Sequence, residues 1–250
     1  MIESSLSDRC KEIILGSLLG DGSLKLHKPY KNARFSFRHS VNQKEYFLWK
    51  VKEMAEISSE NCVWEQKDRD SWGNYKLRYQ SLATEELTEL YKLTHPHRRF
   101  KIRRKWLNRL TPLSLCVWWL DDGSLVSDCR QGVFCTDGFP YEQLLIVVRY
   151  FNKVWGLHPR LGKVAKEGPR ANQYRLWIRS SEELKKFFRI IIPYVPVPSM
   201  VRKVLLLYKN PELQERWISE VCQLLQINMD EDAIFSYVEE RKKKLAYYRE

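Results

Sequence analysis

Residues 115–125, LCVWWLDDGSL, have a counterpart near the N-terminus at residues 14–24, ILGSLLGDGSL. Each is an apolar run of helical length closed by an acidic residue, then Gly, Ser and Leu. Aligned on the shared Asp-Gly-Ser-Leu, Asp21 corresponds to Asp122, about a hundred residues later. A motif repeated at that spacing in a 250-residue chain marks two related halves. Those halves place two carboxylates as equivalents about a pseudo-twofold axis.

Outward from the first motif, Ser7 and Asp8 read as an N-cap region. Residues 9–19 have helical apolar spacing at Cys10, Ile13, Ile14 and Leu18. Gly16 and Gly20 lie four apart, so a second helix can approach there backbone to backbone; Gly20 and Gly22 also read as simple helix breakers. Residues 33–39, ARFSFRH, alternate, with Phe35 and Phe37 on one face and Arg34, Ser36 and Arg38 on the other. This predicts a half-buried strand with a basic outer face. An amphipathic helix over 41–57 follows, with Tyr46, Phe47, Trp49 and Met54 as candidate core. A second ribbon spans 62–66 and 75–81, with Trp72-Gly73-Asn74 at the turn and Lys76, Arg78 and Gln80 sharing a face. Residues 85–93 read as a helix.

The second half repeats the order. Thr111 caps, Pro112 takes the first helical position and the motif helix runs to Leu120. A strand over 133–136 precedes a helix over 141–155 bounded by Gly156, then a ribbon at 160–164 and 174–179. In its last strand Arg175, Trp177 and Arg179 alternate with Tyr174, Leu176 and Ile178. A helix over 182–192 stops before Pro193, and two more helices are expected after Pro211. The predicted fold is α+β, two αββαββα halves with antiparallel sheets. The expected division is 1–105, 106–210, and a helical extension at 211–250 without a counterpart in the first half.

Lys and Arg outnumber Asp and Glu 43 to 31, giving a net charge of +12, which suits a polyanionic partner, nucleic acid ahead of a membrane surface. Hydrophobic residues make up 44% and aromatics 13%, which excludes a disordered chain. Six scattered cysteines without a CxxC pair argue against structural zinc or a disulfide framework and for reduced thiols in an intracellular setting. No secretory signal opens the chain, and no apolar run approaches the ~20 residues of a membrane span. A cytoplasmic or organellar protein (mitochondrial or chloroplast) is expected. Residues 98–105 carry six basic side chains in eight positions, either a solvated linker or a phosphate-contacting bridge. His95 and His97, which flank a Pro, are weak metal-ligand candidates.

Asp21-Gly22 and Asp122-Gly123 at the ends of duplicate apolar runs resemble the paired signatures of single-chain LAGLIDADG homing endonucleases. The resemblance extends over residues 35–50 (Phe35 to His39, Gln43 to Tyr46, Trp49-Lys50), over 110–123, and over Ile192-Pro193-Tyr194 with Pro198-Ser199-Met200. It covers roughly residues 9–205. Cys116, Val117 and Asp121 depart from the small residues that the namesake pattern prefers.

The resemblance implies sheets that form a DNA-binding saddle and motif helices packed at its centre. An acid at a helix C-terminus faces the negative end of the helix dipole, and two such acids in proximity call for a divalent cation, with Mg²⁺ suited to hard oxygen ligands. In the same way the resemblance implies that Asp21 and Asp122 hold the metal, with backbone carbonyls of Gly20 and Asp121 as further ligands. Mg²⁺ is expected, Mn²⁺ as a substitute, and Ca²⁺ to support binding without cleavage. Lys101 and Lys203 fall where one subgroup places its active-site lysines; Arg99, Arg104 and Arg202 are rival positions. The expected DNA-contacting set is Arg34, Ser36, Arg38, Lys76, Arg78, Gln80, Arg160, Lys163, Arg175 and Arg179, since ribbons fit the major groove. The reaction so implied is metal-dependent hydrolysis giving a staggered double-strand break in a long asymmetric target, the step that drives intron homing. Both acids lie in one chain, so a monomer suffices. The main alternative is an intron-splicing maturase that binds its host RNA. A transcription regulator that reuses the fold is less favoured, and without a flanking splicing domain an intein is not expected.

Overall fold

A computed structural model of the chain describes residues 6–66, 75–126 and 128–245. Two compact units emerge, Met1–Asp121 and Asp122–Glu250. The division falls at the end of the second motif helix, so that helix packs within the first unit.

In the first unit the order is α1 (Asp8–Ser17), β1 (Gly22–Lys25), β2 (Ala33–Ser40), α2 (Lys44–Glu53), β3 (Val63–Gln66), β4 (Lys76–Thr84), α3 (Glu85–Thr94), a short α4 (Arg104–Leu107) and α5 (Pro112–Asp122), whose last residue opens the second unit. Ser7 caps α1 by accepting from the Cys10 amide at 3.2 Å, and Thr111 caps α5 by accepting from the Ser114 amide at 3.3 Å. The Gly-Ser-Leu of the first motif starts β1, which pairs antiparallel with the strand that the alternation at 33–39 predicts.

Four antiparallel strands pair in the order β1-β2-β4-β3. On the inner face Phe37 stacks on Tyr79, centroids 4.8 Å apart, and meets Phe47 of α2 at 5.3 Å. Such pairs add ~0.5–1.5 kcal/mol each beyond simple burial. The register shifts between Arg34 and Ser36, and there the Phe35 amide donates to Ser81 Oγ at 2.9 Å. The outer face carries the polar partners, Ser36 opposite Gln80, Arg38 opposite Arg78 and Ser40 opposite Lys76. The expected turn at Trp72-Gly73-Asn74 lies outside the described residues.

The second unit repeats the plan with β5 (Gly123–Val126), β6 (Gln131–Phe134), α6 (Tyr141–Tyr150), β7 (Arg160–Lys163), β8 (Tyr174–Ile178), α7 (Ser181–Ile191) and a short α8 (Pro198–Val201), and its sheet order is β5-β6-β8-β7. Phe134 meets Phe187 of α7 at 5.6 Å, while Leu176 and Ile178 are buried. After α6 a π-turn at Phe151–Trp155 carries the helix to Gly156, the expected stop. Two capped helices close the chain, α9 (Pro211–Leu224) behind Asn210 and α10 (Glu231–Lys244) behind Asp230. Acids occupy the first turn of α10 and bases its last, as the helix dipole favours. Among the described residues no helix is long and apolar enough to cross a membrane.

Candidate nucleic-acid interface and acidic site

Packing of α1 on α5 requires glycine. A Cβ at Gly16 would overlap the carbonyl oxygen of Ser114, whose hydroxyl donates to the Glu12 carbonyl at 2.9 Å. One turn on, a Cβ at Gly20 would lie 2.5 Å from that of Asp121. The glycine pair therefore admits the second helix, and Gly20 in particular makes room for an acidic side chain.

Asp121 is buried, with no side-chain exposure. Both its carboxylate oxygens accept from Lys50 Nζ, at 3.1 and 3.0 Å, and Oδ1 also accepts from Tyr46 Oη at 2.9 Å. The Asp21 amide donates to Oδ2 at 3.3 Å. Burial, then the neighbouring Asp121 charge, pushes the Tyr46 phenol well above its ordinary value, so it stays a donor. The imidazole of His39 is also fully buried. Its Nδ1 sits 3.4 Å from Asp21 Oδ2 without an aligned hydrogen bond, and its Nε2 lies 3.5 Å from Lys50 Nζ.

Asp21 is the outward member of this cluster, its side chain 37% exposed. It lines an open groove of about 510 Å³ on the outer face of the first sheet. Ser36, Arg38, Arg78 and Gln80 line the same groove, so four of the expected DNA-contacting residues are brought together with the expected acid. Ser23, Lys25 and Trp64 join them, and these three escaped the sequence reading. Trp64 faces Arg78 across the β3–β4 ladder and is 42% exposed, a flat apolar surface set among donors. Arg34 lies over the Tyr30 ring at 5.0 Å, and Lys76 sits beyond Arg78 on the same face.

Lys101 lines a separate recess of about 560 Å³ with His97, Arg99 and Arg103. Part of the basic run at 98–105 is thereby folded into a cationic hollow. His95 has a structural part: it stacks on Tyr91 with centroids 4.1 Å apart, and burial lowers its pKa.

In the second unit Lys203 Nζ donates to the Gly123 carbonyl at 3.1 Å, beside Asp122. Asp122 itself accepts at its carbonyl from the Cys135 amide at 3.0 Å. Arg160 and Arg179 line a recess of about 390 Å³ with Trp177, and the Arg179 guanidinium lies 5.4 Å from that ring. Arg175 is held by Asp137 through two bonds of 2.7 and 2.9 Å, and Arg170 reaches the same carboxylate at 2.6 Å. The Arg175 hydrogen bond keeps the Asp137 carboxyl below its usual range. Lys163 is exposed but pairs with Tyr174, on the parity of Leu161 and Leu176 rather than that of Arg160 and Arg175.

The donor set can be tested against a cation. Asp21, His39 and Asp121 each offer a ligand atom, all within 4.8 Å of one another. Lys50 already spans both oxygens of Asp121, however, whereas the Asp21 carboxylate lines the groove from which a cation would approach. A hard, partly hydrated ion that keeps several waters suits that donor.

The chain belongs to the LAGLIDADG DNA endonuclease family, which it matches over residues 11–187. Its fold is that of the homing endonuclease I-WcaI, solved bound to its DNA recognition sequence, with a TM-score of 0.70 at 22% identity over 82% of this chain and 89% of that one. In sequence it is 30% identical to protein RecA of Mycobacterium gastri over 215 residues, which cover 80% of this chain and 48% of that protein. It is 25% identical to cytochrome b mRNA maturase bI2 of Saccharomyces cerevisiae, covering 77% of this chain and 46% of that one. The chain thus spans about half the length of these curated relatives.

Proposed function

We propose that the chain is a site-specific DNA endonuclease that makes a staggered double-strand break in a long, asymmetric target, as intron homing requires. The observation that carries this reading is Asp21 set in a groove whose walls are Ser36, Arg38, Arg78 and Gln80, in a chain of the LAGLIDADG family. Arginines at that spacing suit guanine edges and phosphates, and Gln80 suits adenine. The second sheet carries Gln131, Val133 and Trp177 where the first has Arg34, Ser36 and Gln80, which supports an asymmetric target.

Asp21 and Asp122 each serve one strand, with backbone carbonyls of Gly20 and Asp121 close by in sequence as further oxygen donors. A divalent cation, Mg²⁺ or Mn²⁺, supplies charge neutralisation at the scissile phosphate and a water of lowered pKa. The chain's own residues orient. Lys203 holds the Gly123 carbonyl and so fixes the backbone beside Asp122, and Lys101 offers a cation to the phosphate backbone. The test is incubation with Mg²⁺ and DNA spanning the uninterrupted form of the host gene's junction. A staggered linear product is expected, and Ca²⁺ in place of Mg²⁺ should leave the duplex bound and whole.

The match to a maturase supports a second reading, binding of intron RNA on the same basic faces. An uncut duplex together with tight binding of the host intron RNA would establish it over the nuclease.

A further inference from the structure

The Lys50 ammonium lies where a cation would lie if Asp121 were a metal ligand. It is fully buried, equidistant within 0.1 Å from both Asp121 oxygens (3.1 and 3.0 Å), and walled by the rings of Phe37 at 4.7 Å and Tyr46 at 5.4 Å. Aromatic faces of this kind attract a cation, so the charge is held in place from both sides. Without it, two carboxylates and an imidazole would stand within 4.8 Å of one another, a set of two oxygens and a nitrogen that suits Mn²⁺ or Zn²⁺.

The second unit carries none of these groups at the matching positions. Phe37 pairs with Gly22 as Phe134 pairs with Gly123, so His39, two residues on, corresponds to Thr136. The buried stripe Phe47, Lys50 and Met54 has the same spacing as Leu144, Val147 and Phe151, which matches Lys50 to Val147. Asp121 itself corresponds to Gly20 of the first motif. Acid, lysine and imidazole thus form an interlocking set in one unit, and glycine, valine and threonine stand at the matching positions of the other.

We infer that Lys50 is a built-in counter-cation: it silences Asp121 as a ligand and leaves Asp21 as the acid that takes the divalent ion in the first unit. Lys50 is a positioning residue, since it acts through Asp121 and not on the phosphate. Its consequence for cutting rests on the nuclease reading; its consequence for cation binding does not.

The test is calorimetric titration of the full chain with Mn²⁺, without DNA. Lys50→Met should gain a site that binds Mn²⁺ at least about tenfold more tightly than the native chain binds it, and Lys50→Met/Asp121→Asn should lose that gain. Equal binding by Lys50→Met and native protein, or a gain that survives in the double variant, would overturn the inference. Should Lys50→Met fail to fold, Asp121→Asn decides: native Mn²⁺ affinity is expected because Asp121 is not a ligand, and a drop of about tenfold overturns the proposal. With DNA, Lys50→Met should slow one strand's cut by about tenfold, leave the other unchanged, and regain the native rate in the double variant. A merely structural lysine would slow both strands alike. If the native chain cuts nothing while the titration comes out as expected, the nuclease reading falls and the counter-cation stands; a cutting enzyme without the Mn²⁺ gain is the reverse.

Discussion

The two units share a frame and differ in chemistry. The first buries a charged cluster, Asp121, Lys50, Tyr46 and His39, directly beneath its acid. In the second, the matching floor is Val147 and Thr136, and Thr136 spends its hydroxyl on the Tyr174 carbonyl at 2.8 Å. The strand order and an aromatic core recur in both units. The difference lies in the charged pair Lys50–Asp121, whose counterparts are Val147 and Gly20; breaking such a pair by removing one partner is costly.

That contrast can be broken where it is sharpest. Asp121→Ala strands Lys50 without its partner, and removal of one member of a buried pair costs ~3–5 kcal/mol. Urea unfolding should show a loss of that order, whereas Val147→Ala in the second unit should lose clearly less; equal losses would mean that the charge pair adds nothing special. Gly16→Ala comes next. Its Cβ would overlap the Ser114 backbone, so overpacking of ~1–3 kcal/mol is expected in a thermal melt. Gly138→Ala in the second unit meets nothing within 4 Å and should stay within ~0.5 kcal/mol of native.

The smallest effect separates the units by acid. The Asp137 carboxyl is held low by its hydrogen bond from Arg175, so its contribution is complete above the ordinary aspartate value near ~4 and is lost as the pH falls through the folded one. It should amount to about 1 kcal/mol, since the pair is partly exposed. Unfolding of the native chain and of Asp137→Asn should therefore converge as the pH falls through the folded Asp137 value and diverge above it. Curves that stay parallel across that range would show that the carboxylate is not engaged.

Much of this was legible in the sequence. Alternation at 33–39 gave the outer face of β2, and Gly156 and Pro193 marked where helices stop. The first Asp-Gly-Ser-Leu motif picked out Asp21, which lines the groove of the first sheet. The cluster beneath Asp21 was harder to read, for physical reasons. Lysine on an amphipathic helix normally points to water, yet Lys50 falls in the buried stripe with Tyr46, Phe47 and Met54. His39 continues the parity of Phe35 and Phe37, so the same alternation that exposed Arg38 had already buried it. Asp121, a departure from the small residue that the motif prefers, is by its size an obstacle to close helix packing. Gly20 removes the obstacle, and only three-dimensional pairing shows the lysine that makes the acid tolerable.

Cutting of both strands requires Asp21 and Asp122 to act as separate acids, one from each unit. The most direct measurement is cutting of the target duplex by Asp21→Asn and by Asp122→Asn, with Mg²⁺ for cleavage and Ca²⁺ for binding. Each variant should lose double-strand cutting by at least about a hundredfold while holding the duplex in Ca²⁺ as the native chain does. Full linearisation by either variant would remove that residue from the site and contradict the account.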